Sequence, residues 1–386
     1  MSWPLVQIGK YAEKVRTWNP SAGAEGVFQY VDLSSVDKSG KIIDLDNVAE
    51  IPSAEAPSRA RQLVVAGDVL VATVRPNLNG VAVVPTELNG ATASTGYCVL
   101  RADEKNLHGR YLFHWVQTGS FVEDMMSKAT GANYPAVSDK IIKESKIPLP
   151  PLPEQKRIAA ILDKADAIRR KRQQAIQLAD DFLRAVFLDM FGDPVTNPKG
   201  WPLKRFGEIG TWASGGTPSR AVSDFFDGDI NWYSAGELNS RYLDGSVEKI
   251  SELAIKNSAA KIFKKDSLLV GMYDTAALKI SILTEDSSCN QACANVECNE
   301  LANVEWLYSY IDCSKEGYLS RRRGVRQKNL NLGMIRDFLL PLPPRYLQDE
   351  FVKVVSAVFD MKKKQERFRG FPVFESLSLE AFSGRL

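Results

Sequence analysis

The sequence predicts an α+β protein in which two similar mixed α/β domains are separated by two long helices that pair as an antiparallel coiled coil. Three observations predict this: a long internal repeat, short β-like runs within each copy, and a heptad-patterned helical stretch after each copy. The predicted boundaries are residues 1–150 for the first domain, 151–193 for the first helix, 194–343 for the second domain and 344–386 for the second helix.

The repeat rests on several matches that keep the same order at a nearly constant shift. Trp3-Pro4-Leu5 recurs as Trp201-Pro202-Leu203, which is a shift of 198 residues. A period this long indicates a duplicated domain rather than a solenoid. The matched segments are 3–5 with 201–203, 67–71 with 265–269 at the same shift, and 146–151 with 339–344 at a shift of 193 residues.

Within each copy, short apolar runs alternate with turn residues, and this predicts a mixed α/β domain. In the first copy, residues 69–74 and 80–84 predict two strands joined by a turn at Pro76-Asn77-Leu78-Asn79. Residues 268–273 and 279–283 repeat this pair of strands in the second copy. Residues 111–116 and 306–311 predict a helix in each copy.

A coiled-coil seam is predicted after each copy, because apolar residues occupy eight of nine heptad positions in the first stretch and five of six in the second. A helix over residues 154–191 would rise ~55 Å at 1.5 Å per residue, longer than a small domain needs. Ordinary core helices, one on each domain, are the alternative. The expected seam residues are Ile158, Ile161, Ala165, Ile168, Phe351, Val354, Val358 and Met361, with Phe182 continuing the first pattern. Gly370 and Pro372 interrupt the second pattern and predict a break before residues 374–382.

The composition is that of a globular protein without disulfides or a metal site. The 386 residues are 44% hydrophobic and 25% charged with a net charge of +2, which is typical of a globular chain whose basic groups, if they bind nucleic acid, are concentrated locally. Five cysteines at irregular spacing and two histidines predict neither a disulfide framework nor a metal site. No signal peptide and no apolar run of ~18 residues is found, so a cytoplasmic protein without membrane contact is expected.

Motifs for catalysis are missing from the sequence. It contains neither a phosphate-binding loop, a dinucleotide fingerprint, nor a nucleophile elbow. The Asn-Pro-Pro-aromatic tetrapeptide typical of amino-methyltransferases is also missing, since Asn19-Pro20 and Asn197-Pro198 continue with Ser21 and Lys199. The sequence therefore predicts a binding protein with no catalytic residue, no metal ligand and no cofactor of its own.

Basic and polar residues collect in a few loops that suit DNA. The run 321–329 carries five basic residues and no acid, so it can neutralise phosphates, and arginine and asparagine can also contact base edges. The corresponding stretch 128–134 is less basic but keeps polar and aromatic groups. The candidate DNA-binding residues are Arg75, Asn77, Lys128, Asn133, Tyr134, Thr217, Ser219, Arg220, Arg321, Arg322, Arg323, Arg326 and Lys328.

On these residues the chain resembles the specificity (S) subunit of Type I restriction–modification systems. The most specific segment is Ile147-Pro148-Leu149-Pro150-Pro151-Leu152-Pro153-Glu154-Gln155, which leads directly into the first long helix. The second copy departs from it, with Arg345-Tyr346-Leu347-Gln348 after its own Pro-Leu-Pro-Pro segment. The other segments that carry the resemblance are Trp201-Pro202, Gly215-Gly216-Thr217-Pro218-Ser219, Gly67-Asp68-Val69-Leu70 and Arg75-Pro76-Asn77.

The resemblance implies a function. Each domain would recognise one half of a split double-stranded DNA target, and the paired helices would set the unread spacer; half-sites one helical turn apart need ~34 Å between their centres. Two methylation subunits, which would bind S-adenosylmethionine, are the expected partners, and a restriction subunit is an optional further one. Two alternatives remain open: an independent enzyme acting on nucleic acid, and a protein-interaction scaffold built on the coiled coil without DNA preference.

Overall fold

The computed structural model describes residues 3–22, 26–131, 133–320, 329–367 and 373–385. The chain divides into two compact units, Met1–Gln174 with Arg367–Leu386 (unit 1) and Ala175–Glu366 (unit 2). The boundary between them lies inside one 40-residue helix, Leu152–Phe191. In the part of the chain that the structure describes, no helix combines the length and the apolar character that crossing a membrane requires.

The described residues of unit 1 form two four-stranded sheets and two smaller ones, with short helices around them. The sheet orders are β6-β3-β10-β7, β2-β11-β8-β9, β1-β12 and β4-β5. The strands are β1 Leu5–Gln7, β2 Ala12–Glu13, β3 Val27–Val31, β4 Val36–Asp37, β5 Ile42–Ile43, β6 Ala49–Pro52, β7 Ala60–Leu63, β8 Val69–Ala72, β9 Val81–Val83, β10 Thr92–Ser94, β11 Tyr97–Ala102 and β12 Lys146–Pro148. The helices are α1 Gly109–Trp115, α2 Gly119–Lys128, α3 Asp139–Glu144 and the first part of α4, Leu152–Phe191.

Unit 2 repeats this plan with sheets ordered β14-β20-β17-β18, β16-β15-β19 and β13-β21. The strands are β13 Leu203–Arg205, β14 Gly210–Ser214, β15 Ile230–Tyr233, β16 Glu248–Ile250, β17 Leu268–Gly271, β18 Ile280–Ile282, β19 Ser288–Cys289, β20 Cys293–Cys298 and β21 Leu339–Pro341. The helices are the second part of α4, α5 Glu252–Asn257, α6 Val304–Ser320, α7 Leu332–Arg336 and α8 Arg345–Arg367; α9 Val373–Phe382 belongs to unit 1.

The central strand of each unit is buried on both faces. Side chains of a strand alternate between its two faces, so Val69 and Val71 of β8 enter one apolar cluster while Leu70 and Ala72 enter another. In β17 the same alternation separates Leu268 from Leu269. These unbroken apolar runs are why the two strand pairs and their flanking helices were predictable, and the structure confirms them with slightly shorter strands.

The repeat extends to individual backbone hydrogen bonds. Leu149 donates its N–H to the carbonyl of Pro4 at 2.9 Å, and Leu342 donates to that of Pro202 at 2.9 Å. Strand β1 pairs antiparallel with β12, and β13 pairs in the same way with β21. In both units one parallel pair occurs as well, β3 with β10 and β15 with β19. The duplicated domain expected from the sequence is therefore present.

One match of the repeat is corrected by a single residue. Gly67 donates its N–H to the Val84 carbonyl, and Asp266 donates to that of Leu283, both at 2.9 Å. Gly67 and Asp266 also share a left-handed backbone, with φ of 91° and 61°. The equivalent of Gly67 is thus Asp266, a shift of 199 rather than 198 residues. The sequence match followed the Asp in each copy, whereas the turn geometry follows the left-handed position.

In unit 2, the second part of α4 packs against α8. The rings of Phe187 and Phe191 lie 5.5 and 5.6 Å from that of Phe351, and Asp180 forms an ion pair with Lys362. Because a later residue of α4 meets an earlier residue of α8, the two helices run antiparallel within this unit. Leu183, Val355 and Val358 are buried in the same cluster.

In unit 1, the first part of α4 packs against the domain and against α9. Ile158, Ala159 and Leu162 share a cluster with Ala381 and Phe382. Helix α8 ends at Arg367 and α9 begins at Val373. The interrupting residues Gly370 and Pro372 fall outside the described residues.

The expected heptad seam needs correction at three positions. Ile158, Phe351 and Val358 are buried, and Ile161, Ala165 and Val354 are half-buried. Ile168 is 52% exposed, Phe182 52% and Met361 57%. An α-helix has 3.6 residues per turn, so a strict seven-residue pattern drifts by about 20° per heptad around it. The buried side chains of α4 are Gln155, Ile158, Ala159, Leu162, Asp166, Leu183, Phe187 and Phe191, often three or four residues apart.

Candidate nucleic-acid interface

In unit 1, the turn between β8 and β9 brings together several predicted DNA-binding residues. Arg75 and Asn79 both have left-handed backbones, with φ of 52° and 44°, and flank a 3₁₀ turn at Pro76–Leu78. The backbone N–H of Arg75 donates to the carbonyl of Pro135 at 2.7 Å. Left-handed non-glycine residues are strained and persist where surrounding contacts hold them, often at functional sites.

This turn meets the loop after α2, which carries the other candidates. The guanidinium of Arg75 lies 4.5 Å from the centre of the Tyr134 ring, whose side chain is 65% exposed. Asn77 and Asn133 are exposed as well. We call Arg75, Asn77, Asn133 and Tyr134 the unit 1 tip. A planar cation, an aromatic ring and two amides at one exposed place can contact both phosphates and base edges.

The positive charge of Lys128, the remaining candidate in unit 1, is partly neutralised by a neighbouring carboxylate. Its ammonium group forms an ion pair with Asp124 at 2.7 Å, one turn earlier on α2. Both side chains are partly exposed to solvent, so a phosphate can replace the carboxylate at little cost.

In unit 2, the predicted loop 215–220 is held by its glycines. The N–H groups of Gly215 and Gly216 donate to the carbonyls of Cys293 and Cys289, each at 3.0 Å. A Cβ at Gly216 would collide with the carbonyl of Ala259, so the loop requires glycine there. Beyond the glycines, Thr217 and Ser219 are exposed, and the Thr217 hydroxyl is hydrogen-bonded to Gln291.

Arg220 is engaged inside unit 2. Its guanidinium forms a two-bond ion pair with Glu248 and lies 4.6 Å from the Phe226 ring and 5.5 Å from the Trp232 ring. The hydrogen bond from Arg220 lowers the pKa of the Glu248 carboxyl. A phosphate at this position would have to compete with Glu248, which sets Arg220 apart from the Arg75 of unit 1.

Both domains match one protein family. The family described as "Type I restriction modification DNA specificity domain" matches residues 60–178 and 198–367. The chain belongs to this family. Each matched segment contains one of the two strand pairs and one of the two Pro-rich segments that lead into α4 and α8.

Three curated relatives of this specificity-domain protein are Type I restriction enzyme specificity subunits. That of EcoR124I/EcoR124II from Escherichia coli is 24% identical over 69% of this chain and 67% of its own length. That of MjaIX from Methanocaldococcus jannaschii is 27% identical over 48% of this chain and 43% of its own length. That of HindI from Haemophilus influenzae is 18% identical over 82% of this chain and 84% of its own length.

Two solved structures share the fold of this specificity-domain protein. One is a chain from a structural study of a type I R-M system, with a TM-score of 0.57, 24% identity, and coverage of 100% of this chain and 98% of that chain. The other is the Type-I restriction-modification system S subunit from M. genitalium, with a TM-score of 0.59, 14% identity, and coverage of 99% and 94%.

The Arg-rich candidates Arg321, Arg322, Arg323, Arg326 and Lys328 lie outside the described residues. Their flanking residues are described. Helix α6 ends at Ser320, and Leu330 donates its N–H to the Met272 carbonyl at 2.7 Å. In unit 1 the loop that carries Tyr134 returns in the same way, where Val137 donates to Thr73 at 2.9 Å. The residues that follow the two predicted loops therefore bond to equivalent places, directly after β17 and β8.

Two lysines and a tyrosine near these loops were not among the DNA-binding residues predicted from the sequence. Lys38 lines the same cavity of about 100 Å³ as Arg75, and Lys41 donates to the carbonyl of Asn79 in the same turn. Tyr273, which follows β17, is exposed. Lys38 and Lys41 are 34 or more residues from Arg75, and no local pattern indicates that the sheet brings them together.

The buried titratable groups of this specificity-domain protein serve packing. His114 is fully buried, and its Nε2 lies 2.8 Å from Asp163 Oδ1, which joins α1 to α4. Burial lowers the pKa of His114, and hydrogen bonds from His114 and Arg110 outweigh burial and lower the pKa of Asp163 to about 2. Burial raises the pKa of the Cys98 thiol. Within the described residues, no three His, Cys, Asp or Glu side chains are grouped so that they could hold a metal ion.

Proposed function

We propose that this chain is the specificity subunit of a Type I restriction–modification complex and that each of its domains recognises one half of a split DNA target. The observation that carries the proposal is the match of both halves of the chain to the DNA specificity domain family. The duplicated fold supports it, because two domains of one design and different loop sequences suit two different half-sites.

The proposed division is residues 1–150 and 194–343 as target-recognition domains, and residues 151–193 and 344–386 as spacer helices that pair as an antiparallel coiled coil. The packing of Phe187 and Phe191 on Phe351 in unit 2 supports the pairing. Seam contacts of Ile158, Val354 and Val358 belong to the same proposal. The length of the paired helices would set the number of unread base pairs between the half-sites.

The proposed DNA contacts are the tip of unit 1 and the two loops of unit 2. In this proposal Arg75, Asn77 and Asn133 contact base edges. The Tyr134 ring, 4.5 Å from the Arg75 guanidinium, supports that side chain. Arg321, Arg322, Arg323, Arg326 and Lys328 supply the cations of the second domain. Lys128, Thr217, Ser219 and Arg220 are auxiliary contacts, of which Arg220 requires release from Glu248.

The proposed partners follow from this role. Double-stranded DNA is the ligand, two methylation subunits that bind S-adenosylmethionine dock on the chain, and a restriction subunit is an optional addition. The chain itself carries out no catalysis and works in the cytoplasm.

The test is co-expression with the methylation subunit of the same system, followed by mapping of methylated bases in the host genome. We expect methylation at a split target with an unread spacer. Exchange of residues 1–150 for the equivalent segment of another specificity subunit should change one half of this target and leave the other half and the spacer as they were. Methylation without sequence preference would contradict the proposal and favour the protein-interaction scaffold, and methylation by the isolated chain would favour the independent enzyme.

Two sets of variants test the contact residues. Arg75→Gln should relax the first half-site alone, while Arg16→Gln, an exposed arginine of the same unit, should leave the target unchanged. Neutralising Arg321, Arg322 and Arg323 should flatten the dependence of log affinity on log salt by about 2.7, since each lost phosphate contact removes about 0.9 from the slope. An unchanged slope would exclude this loop from the interface.

A further inference from the structure

A turn of unit 1 connects the tip to helix α4. Lys41 has a left-handed backbone, with φ of 54°, and its ammonium group donates to the carbonyl of Asn79 at 2.5 Å. Two residues earlier, the carbonyl of Ser39 accepts a hydrogen bond from Nη1 of Arg169 on α4 at 3.5 Å. The turn 38–41 is therefore fastened on one side to the Arg75–Asn79 turn and on the other side to α4.

The cations at this junction outnumber the anions. Asp166 lies beneath two arginines, with Oδ1 bonded to Arg169 and Oδ2 to Arg170, each at 2.8 Å. The Asp166 side chain is almost fully buried, whereas both arginines are partly exposed. One carboxylate therefore compensates two guanidinium groups that reach solvent. Asp37 is the carboxylate that favours the charged form of Lys41.

The pKa of Lys41 reflects burial first and this imbalance second. Burial first, and then the positive charge of Arg169, lower it to about 8, and the opposing effect of Asp37 is smaller. A lysine that loses pKa to a neighbouring cation lies in a positive potential. The repulsion between Lys41 and Arg169 costs free energy unless an anion binds near both of them. A phosphate group would relieve this repulsion.

The positive surface is continuous with the tip. Lys38, which is exposed, lines the same small cavity as Arg75 and Leu78. The cations thus follow one another from Arg75 at the cavity, through Lys38 and Lys41 of the 38–41 turn, to Arg169 and Arg170 on α4. We call the last four residues the basic strip.

We propose that the basic strip, Lys38, Lys41, Arg169 and Arg170, binds the phosphate backbone of the DNA next to the half-site that the first domain recognises, so that the duplex continues from the unit 1 tip over the 38–41 turn toward α4. The proposal rests on the proposed function. It assigns to α4 a direct, sequence-independent contact with DNA, in addition to its role as a spacer.

The chemistry favours phosphate over other anions. Ammonium and guanidinium groups on a turn and a helix neutralise phosphates but carry little information about base identity. An acidic protein segment or an anionic membrane would also be attracted to such a strip. Continuity with Arg75 and Tyr134 is the observation that favours DNA, because a duplex held at the tip extends well beyond a half-site.

The test compares two double variants of the full chain assembled with its methylation subunits. Lys38→Gln with Arg170→Gln removes two charges from the strip but leaves Lys41 bonded to Asn79 and Asp166 paired with Arg169. Lys10→Gln with Lys140→Gln removes two exposed charges elsewhere in the same unit and serves as the matched control. Affinity for target DNA and for non-target DNA is measured between about 50 and 200 mM salt, with thermal unfolding as a check on folding.

We expect the strip variant to lose about 1.8 from the salt slope, so that its affinity advantage at low salt shrinks about tenfold over this range. Affinity for target and non-target DNA should fall together, so the ratio between them stays the same. Methylphosphonate substitution of spacer phosphates beside the first half-site should weaken the native complex more than that of the strip variant, which keeps only Lys41 and Arg169 of the strip. The control should behave as the native chain.

Three outcomes would overturn the proposal: an unchanged slope, a changed target-to-non-target ratio with an unchanged slope, or native binding that is insensitive to neutral spacer phosphates. If the strip variant instead loses binding to anionic vesicles or to the methylation subunits, the strip serves those partners. A native complex that discriminates no DNA sequence would contradict the proposed function itself, which is distinguishable from failure of the strip alone.

Discussion

Gln155 and Gln348 make the same three hydrogen bonds in the two halves of the chain. The Oε1 of Gln155 accepts from the His108 N–H at 2.9 Å, and its Nε2 donates to the carbonyls of Asn106 and Pro150, both at 2.9 Å. Each glutamine is fully buried at the start of its long helix and ties that helix to the domain before it. The partners of Gln348 are the Asn303 N–H at 2.8 Å and the carbonyls of Leu301 at 3.0 Å and Pro343 at 2.9 Å.

Gln348→Met should lower the free energy of unfolding by at least about 3 kcal/mol. Methionine fills a similar volume but leaves one N–H and two carbonyls without this partner in a buried place, and each such group costs about 1–3 kcal/mol. Urea denaturation followed by far-UV circular dichroism measures the change. Gln173→Met on the exposed side of α4 is the control and should change stability little; equal effects would show that the buried bonds contribute nothing.

Phe187→Ala should destabilise unit 2 by about 3–5 kcal/mol, because it opens a cavity against Phe351 and Phe191. Phe182→Ala, five residues earlier on the same helix, should cost less than 1 kcal/mol, since the Phe182 side chain is half exposed. Urea denaturation of the two variants measures both changes. The heptad pattern predicts the opposite order, so a greater loss at Phe182 would restore the seam expected from the sequence.

Gly216→Ala should disturb the second half-site selectively. A Cβ there meets backbone atoms of Ala259 and Ala260, which cannot move aside as a side chain can, so the loop 215–220 must shift. We expect at least a tenfold loss of affinity for the second half-site, on the scale of one or more lost base contacts. Gly236→Ala has room, with Ser234 Oγ at 3.8 Å, and should bind as the native chain does. Mapping of methylated sites for both variants checks the prediction.

DNA binding should weaken as the pH rises from 7 to 9. Phosphate near Lys41 raises its pKa above the value of about 8 in the free chain, so the complex holds more protons than its components and loses affinity when protons become scarce. A fall of about fivefold corresponds to a pKa increase of about one unit on binding. Lys41→Met should remove this dependence, with Arg169 and Asp37, the groups that face Lys41, left in place. If the affinity of the native chain does not change with pH, Lys41 does not contact the DNA.

The free chain should show the opposite sign in its stability. The folded pKa of Lys41, about 8, is lower than that of an unfolded lysine, so the unfolded chain binds more protons between these two values. The contribution of Lys41 to the free energy of unfolding therefore increases as the pH rises from about 8 to about 10.5. Below about 8 the charge of Lys41 opposes folding. Comparing native and Lys41→Met unfolding across this range isolates the contribution.

The sequence was sufficient wherever a local pattern carries the structure. The buried strands β8 and β17 follow from unbroken apolar runs, and the first long helix follows from its repeating apolar positions. The duplication was visible because the same closing contacts, between β1 and β12 and between β13 and β21, need the same Trp-Pro-Leu and Pro-Leu-Pro-Pro segments. The family and its DNA-recognition role were predictable for the same reason.

Tertiary structure decided what depends on distant parts of the chain. Which face of α4 is buried follows from its partners, so Phe187 and not Phe182 enters the core. The fold pairs Arg220 with Glu248, so a phosphate must compete with this carboxylate. The fold also brings Lys38 near Arg75 and Lys41 near Arg169. Sequence alone determined the repeat, the two buried strand pairs, the first long helix and the family, because these depend on residue type and spacing. Charge balance and exposure depend on neighbours that are distant in sequence, and only folding brings those together.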